Sequence, residues 1–552
     1  MKNHSFKLSN DGSKIAFINY PAFDVVLNIH DINKQITHKF NLGNLLKESI
    51  EILQLFFTQD SFFVFYKTKK NYKFCKIDID LFKMQTIDFL NGINCKVFYD
   101  ERNIYLISLK NINESHVYIL SQNNFIEILK LNGRVDKIFS IGEAYYFDLK
   151  TPDEFFKIYK YNSANKDLRL FIGISNNSNE RIYLANKKYI IFTTDINGYE
   201  QTIIYNFSKN EYKVANTNIK TDQRPIKLTD KHLYINIQSG TDNILQLLNC
   251  NNYNNFCVNN DGVILNEIVE FNNYVYYLKS TPYYPYTLFR CNLITFVEEK
   301  LFTPIKLSYK IGYTVHKQLY SFEKHTVECI VYQPKSANKG VIYYLHGGPY
   351  SRWTYQFNLY CNLLSNHGFK IICPNYRGSI GYGRKYRDII NKHWGEYDLI
   401  DIVNIVKEEN YKFNIIIGES YGAFLALRLA IFHSEIISKC CLISGFISPL
   451  TLYEKSSNKN IKQFLLEKAI NDENIEYSLT DYAKIKSKLY VTHGLFDSIV
   501  NISESRALIN NLECAGKKSG KDFIYREINN SHSILNDEEN EISNVLNFIL
   551  EF

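Results

Sequence analysis

Near residue 420 the sequence reads Gly418-Glu419-Ser420-Tyr421-Gly422, a serine flanked by glycines at the spacing G-x-S-x-G. The β-branched run Ile415-Ile416-Ile417 precedes it, and the apolar series Ala423-Phe424-Leu425-Ala426-Leu427-Arg428-Leu429-Ala430 follows. That order predicts a strand, a sharp turn and a helix, the setting in which a serine hydroxyl is lifted clear of a sheet edge. Gly418 and Gly422 keep Cβ atoms out of the crowded turn. A serine is a weak nucleophile at its own pKa, so the chemistry also needs a base within reach and a carboxylate to orient the base. Alone, a five-residue pattern is a weak signal.

The partners are sought downstream, in the chain order serine, acid, histidine. The strand-like run Leu489-Tyr490-Val491-Thr492 ends in His493-Gly494-Leu495-Phe496-Asp497, which puts Asp497 on a loop after a strand. A second run, Phe523 to Ile528, leads into Asn529-Asn530-Ser531-His532, so His532 also falls on a post-strand loop. Asp398 and Asp401 rank below Asp497 as the acid. His493 reads as a structural strand-end residue, and His367 and His393 come before the serine, out of order. A developing oxyanion needs backbone N–H donors. One is expected from Tyr421, and the other from Gly348 in His346-Gly347-Gly348-Pro349, where paired glycines let the backbone approach a substrate closely.

Elements must position these residues. From Val341 onward, strand-like runs (Val341–Leu345, Lys370–Cys373, Asn414–Ile417, Cys440–Ile443, Leu489–Thr492) alternate with helix-compatible stretches such as Phe357–His367 and Tyr397–Glu409. Two antiparallel-looking strands, near 307–315 and 325–333, come first. Alternation of this kind predicts a mostly parallel sheet with helices on both faces, the α/β-hydrolase pattern. Before residue 300 the texture differs. Seven runs rich in Tyr, Phe, Ile and Val stand at 15–18, 62–66, 104–107, 144–147, 189–192, 233–237 and 274–277. Each has a partner run, beginning near Val25, Tyr72, His116, Phe156, Thr202, Ile244 and Tyr286. A period of about 40–47 residues with several strands per unit predicts an all-β propeller of about seven blades. A β-sandwich or a pair of all-β domains is the alternative, and the regular spacing argues against both. Nothing in this half looks catalytic, and its aromatic residues read as blade core. The boundary falls between about 300 and 315, giving residues 1–305 to the propeller and 306–552 to the hydrolase domain.

Composition narrows the classes. The formal charge of +7, from 64 basic and 57 acidic residues scattered rather than blocked, gives nucleic-acid binding little support. No run approaches the ~20 apolar residues of a membrane span, and the first residues hold no apolar stretch for a signal peptide. Eleven scattered cysteines without C-x-x-C pairs argue against metal or disulfide frameworks and fit free thiols in a reducing cytoplasm.

Taken together, the motifs resemble the prolyl oligopeptidase family of serine peptidases, nearest its acylaminoacyl peptidase branch. The resemblance rests on His346-Gly347-Gly348-Pro349, Asn375-Tyr376-Arg377-Gly378-Ser379 with Gly381-Tyr382-Gly383, Trp394-Gly395 with Asp398 and Asp401, Gly418 to Gly422, His493-Gly494 with Asp497, and His532. It implies a peptidase that acts on short or N-acylated peptides without metal or cofactor, behind a propeller that restricts substrate size. It leaves homo-oligomerisation open. Three positions depart from the family pattern: Ala423 and Ser531 stand where glycines are usual, and Asn501 where proline is common. The paired glutamates that capture a substrate amine in the dipeptidyl peptidase branch have no clear counterpart. An esterase or amidase for a small acylated metabolite is the nearest rival, because the same triad cleaves esters more readily than amides. A catalytically silent scaffold that binds a protein partner is the rival of another class.

Overall fold

The computed structural model describes residues 6–551, apart from most interstrand connections ahead of residue 124 and short intervals at 152–154, 217–219, 259–260, 304–310, 324, 337–338, 472–476 and 535–538. Contacts divide it into two compact units. The first holds Met1–Gln238, Asn243–Lys279 and Tyr286–Pro304; the second holds Ile305–Phe552 with the short segments Ser239–Asp242 and Ser280–Pro285.

Among the described residues, the first unit is seven four-stranded sheets, each a meander in chain order. Strands pair antiparallel, as where Ile104–Asn111 pairs with Glu114–Ser121. The seven run pairs read from the sequence are the second and third strands of these sheets. Central strands have neighbours on both edges and packing on both faces, which selects continuous apolar runs such as Tyr189–Thr194, buried at every position. The cores lie between successive sheets: Ile158, Ile172, Ile182, Ile190 and Phe192 form one such cluster. First strands of neighbouring sheets adjoin, Arg134–Ile141 beside Glu180–Ala185 and that beside Asp222–Leu228; Val263–Phe271 lies beside Phe6–Leu8. This is a propeller fold.

The second unit centres on one eight-stranded sheet. Its strands are β1 (Tyr313–Phe322), β2 (His325–Pro334), β3 (Val341–Leu345), β4 (Lys370–Asn375), β5 (Asn414–Glu419), β6 (Lys439–Ile443), β7 (Lys488–Gly494) and β8 (Phe523–Ile528). They lie in the order β1-β2-β4-β3-β5-β6-β7-β8. The β1–β2 and β2–β4 pairs are antiparallel, and every later pair is parallel. Alternate residues of β5 face opposite layers: Ile416 joins the cluster holding the helix Tyr421–Phe432, and Ile415 and Ile417 join the one holding Leu364 and Phe548. Both faces are covered, so the strands read as unbroken apolar runs. The first strand starts later than the expected 307–315, partly outside the described residues. It is an edge strand in which Thr314, His316 and Lys317 are exposed, and this partial burial leaves little apolar signal. Among the described residues no helix is long and apolar enough to cross a membrane.

Candidate active site

Ser420 stands between β5 and the helix Tyr421–Phe432 with φ 53 and ψ −114. A side-chain-bearing residue in that region carries strain of about 1–3 kcal/mol. The surroundings hold it there: Ser420 N–H donates to Ile443 O at 2.8 Å, and Ser420 O accepts from Ala423 N–H at 3.0 Å. Close packing explains both motif glycines. A Cβ on Gly418 would lie 2.1 Å from Gly422 O, and one on Gly422 would lie 2.4 Å from Leu345 O. Ala423 is accommodated by a third glycine, since a Cβ on Gly445 would come within 2.6 Å of the Ala423 methyl.

Asp497 follows β7 and is buried at 8% exposure. Its Oδ2 lies 2.6 Å from His532 Nδ1, and its Oδ1 accepts from Ile499 and Val500 N–H, both at 2.9 Å. His493, at the end of β7, brings Nε2 to 3.2 Å of the same Oδ2. The His493 ring is fixed by Ser505 Oγ at 2.6 Å from Nδ1 and by Val500 O at 3.0 Å from Nε2. Burial pushes the Asp497 carboxyl up, but hydrogen bonds from His493 and His532 outweigh it and hold the group well below the usual carboxylate range. The acid is therefore an anion with two imidazole neighbours.

The histidine loop is drawn against the acid loop by the backbone: Leu495 N–H donates to Ile528 O and Phe496 N–H to Asn530 O, at 2.8 and 2.9 Å. Gly494 makes this approach possible, because a Cβ there would lie 2.2 Å from Ser531 O. Ser531 is exposed and outside the left-handed region, so the family's glycine is not required at its position. Asn501 makes a local turn just ahead of the helix Ser503–Cys514, its Oδ1 accepting from Ser503 N–H at 2.9 Å.

The glycine loop after β3 reaches the serine. A Cβ on Gly347 would lie 3.3 Å from Ser420 Cβ, and Gly348 has φ +54. His346 anchors this loop, stacked on Tyr376 at 4.3 Å, with Nε2 2.9 Å from Ser379 Oγ. Burial pushes its imidazole down to about 4, so it stays neutral. On the other side, Tyr421 is buried and its hydroxyl donates to Asp398. Asp401 instead pairs with Arg377 and His325, away from the acid role. Two contacts were not legible in the sequence, namely His493 on Asp497 and Tyr344 on Glu419. Both join residues on different strands or turns, and only the adjacency of His493-Gly494 to Asp497 hinted at the first. Among the described residues no cluster could hold a metal ion.

A serine on a strained strand–helix turn, a buried carboxylate and a histidine bonded to that carboxylate all follow strands of one sheet. Residues 355–552 match the model of the prolyl oligopeptidase family. A probable dipeptidyl-peptidase 5 of Aspergillus flavus is 33% identical over 100 residues, 16% of this chain and 14% of that protein. An acylamino-acid-releasing enzyme of Sus scrofa is 28% identical over 131 residues, 22% and 18% of the two chains. The sequence alignments thus span under a fifth of these curated relatives. Likeness of fold extends further. A puromycin-hydrolyzing peptidase of Mycobacterium tuberculosis superimposes with a TM-score of 0.76 at 13% identity, over 97% of this chain and 94% of that one. An acylaminoacyl peptidase of Pyrococcus horikoshii gives 0.75 at 14% identity, over 99% and 95%.

Proposed function

We propose that the chain is a serine peptidase that hydrolyses short or N-acylated peptides. The observation that carries the reading is the 2.6 Å hydrogen bond between His532 and the buried Asp497, which follow strands of the same sheet as the strained Ser420. In this mechanism Ser420 attacks the scissile carbonyl while His532 takes its proton, and Asp497 holds the imidazole in the required tautomer. The N–H groups of Tyr421 and Gly348 receive the oxyanion, each worth on the order of 3 kcal/mol. His532 then protonates the leaving amine, and water deacylates the serine. We assign residues 306–552 to the peptidase domain and residues 1–305 to a closed seven-bladed propeller that limits substrate size. None of the eleven cysteines is in a disulfide, which favours a reducing, cytoplasmic setting.

The test is a Ser420→Ala variant beside wild type, assayed with a fluorophosphonate probe and with matched panels of peptide amides and esters. Labelling and amide turnover in wild type, both lost in the variant, are expected. Equal labelling of the two proteins would sink the triad. Turnover confined to esters would favour the esterase reading.

A further inference from the structure

Glu419, directly before the serine, takes no part in the mechanism above, yet it is half-buried. It shares the β5 face of Ile415 and Ile417. His532 lies two residues before Ile534, which packs into that same cluster. The Tyr344 hydroxyl, on neighbouring β3, donates to Glu419 Oε1. Tyr344 is in turn fixed by Trp353, whose ring stands 4.8 Å away and whose indole N–H donates to Tyr344 O at 2.9 Å.

We propose that Glu419 is a positioning residue that acts through His532: its carboxylate is a second negative charge supporting the imidazolium formed when Ser420 gives up its proton. The proposal rests on the serine-peptidase reading and deepens it. A carboxylate near an imidazole favours the charged ring, as Asp497 does from the other side. The titratable groups facing Glu419 are Tyr344, Tyr360, Cys361 and His532. Burial pushes both tyrosines and the thiol up, so they stay neutral, and His532 is the one group of the four able to carry positive charge. Around His532 the remaining groups are Asp497 and, through it, His493. Burial pushes the Glu419 carboxyl up too, against the Tyr344 hydrogen bond and the His532 charge. Its charge therefore responds to acid at higher pH than an ordinary glutamate.

The experiment measures the rate of fluorophosphonate labelling against pH, which needs no knowledge of the natural substrate. In that reaction a Ser420 Oγ–P bond forms, the P–F bond breaks, fluoride leaves and His532 takes the proton, so the acid limb reports neutral His532. Glu419→Gln removes the charge and keeps the acceptor for Tyr344. The neighbouring imidazolium is then less favoured, its pKa falls, and the acid limb moves to lower pH by about half a unit to one unit. The plateau rate falls about threefold to tenfold. Tyr344→Phe, which weakens the ionised form of Glu419, moves the limb the same way by less and carries the test if the first variant does not fold. A merely structural role would change melting temperature and leave the limb in place. Acid limbs of both variants superimposable on wild type would overturn the proposal. Wild type that does not label at all would overturn the serine-peptidase reading itself, and the two failures are distinguishable without the variants.

Discussion

The two units solve the problem of folding in opposite ways. The first repeats one small device seven times, and no single strand of it is unique. The second is assembled from positions that have no substitute. Glycines make the contrast concrete. Gly142, in the turn between Arg134–Ile141 and Ala144–Lys150, has nothing within 4 Å of where a Cβ would sit. Gly418 has backbone oxygen at 2.1 Å from that point. Charges show the same contrast. In the first unit, Asp136 is shared among Lys96 Nζ at 2.6 Å, Arg134 Nε at 3.0 Å and Arg181, a redundant set. In the second, Asp497 holds His532 through one oxygen. Repetition buffers substitution, whereas a site concentrates its consequences.

Breaking the concentrated side should give the largest effects. Ser420→Ala is expected to lower kcat by about 10⁶-fold with melting temperature nearly unchanged, measured on the best amide of the panel. Asp497→Asn is expected to cost about 10⁴-fold, because the histidine tautomer is no longer fixed. A loss of less than tenfold there would move the acid elsewhere. Gly418→Ala puts a methyl against backbone that cannot rotate away. It should destabilise the second unit by about 3 kcal/mol or more, read as a urea midpoint shift.

How much of this was legible in the sequence follows from the same contrast. Seven pairs of central strands were visible because they are apolar on both faces. Their outer neighbours were not. Glu211–Val214 and Asn255–Cys257 are exposed at every position and so present no buried face to select an apolar run. The first strands escaped for another reason: charged residues such as Lys96, Asp136, Arg181 and Arg224 interrupt their apolar pattern, satisfied by partners from outside their own sheets. In the second unit, Tyr397–Glu409, Val341–Leu345 and Phe523–Ile528 begin and end where periodicity placed them. The order Ser420, Asp497, His532 was readable as spacing because each follows a strand. The neighbours Glu419 meets were not, since Tyr344 and His532 approach it only through sheet order.

Two smaller effects sharpen the comparison. Burial pushes the Asp398 carboxyl up to about 6, despite hydrogen bonds from Tyr421 and from Leu399 and Gly395 N–H. An acid whose folded pKa is raised binds its proton more tightly in the native state. Stability is therefore greatest below the unfolded value near 4 and is lost as pH rises through 6. The cost at neutral pH is about 3 kcal/mol for a fully buried group. Asp398→Asn should gain on wild type progressively between those two pH values, in parallel urea titrations. A constant difference across that range would remove the buried proton from the account.

Gly142→Ala probes the repeated side and should be the mildest change. Gly142 has φ +62, where a Cβ meets its own carbonyl oxygen, yet the space around it is open. Only the backbone term remains, about 1 kcal/mol. The expected outcome is a small shift in the urea midpoint of the first unit, with amide turnover by the second unit unaltered. The same substitution at Gly418 adds a collision to a backbone whose φ already suits alanine, so the two variants separate steric cost from conformational cost. A Gly142→Ala loss as large as the Gly418→Ala loss would mean that the repeated blades are no more tolerant than the site, and the contrast between the units would fail.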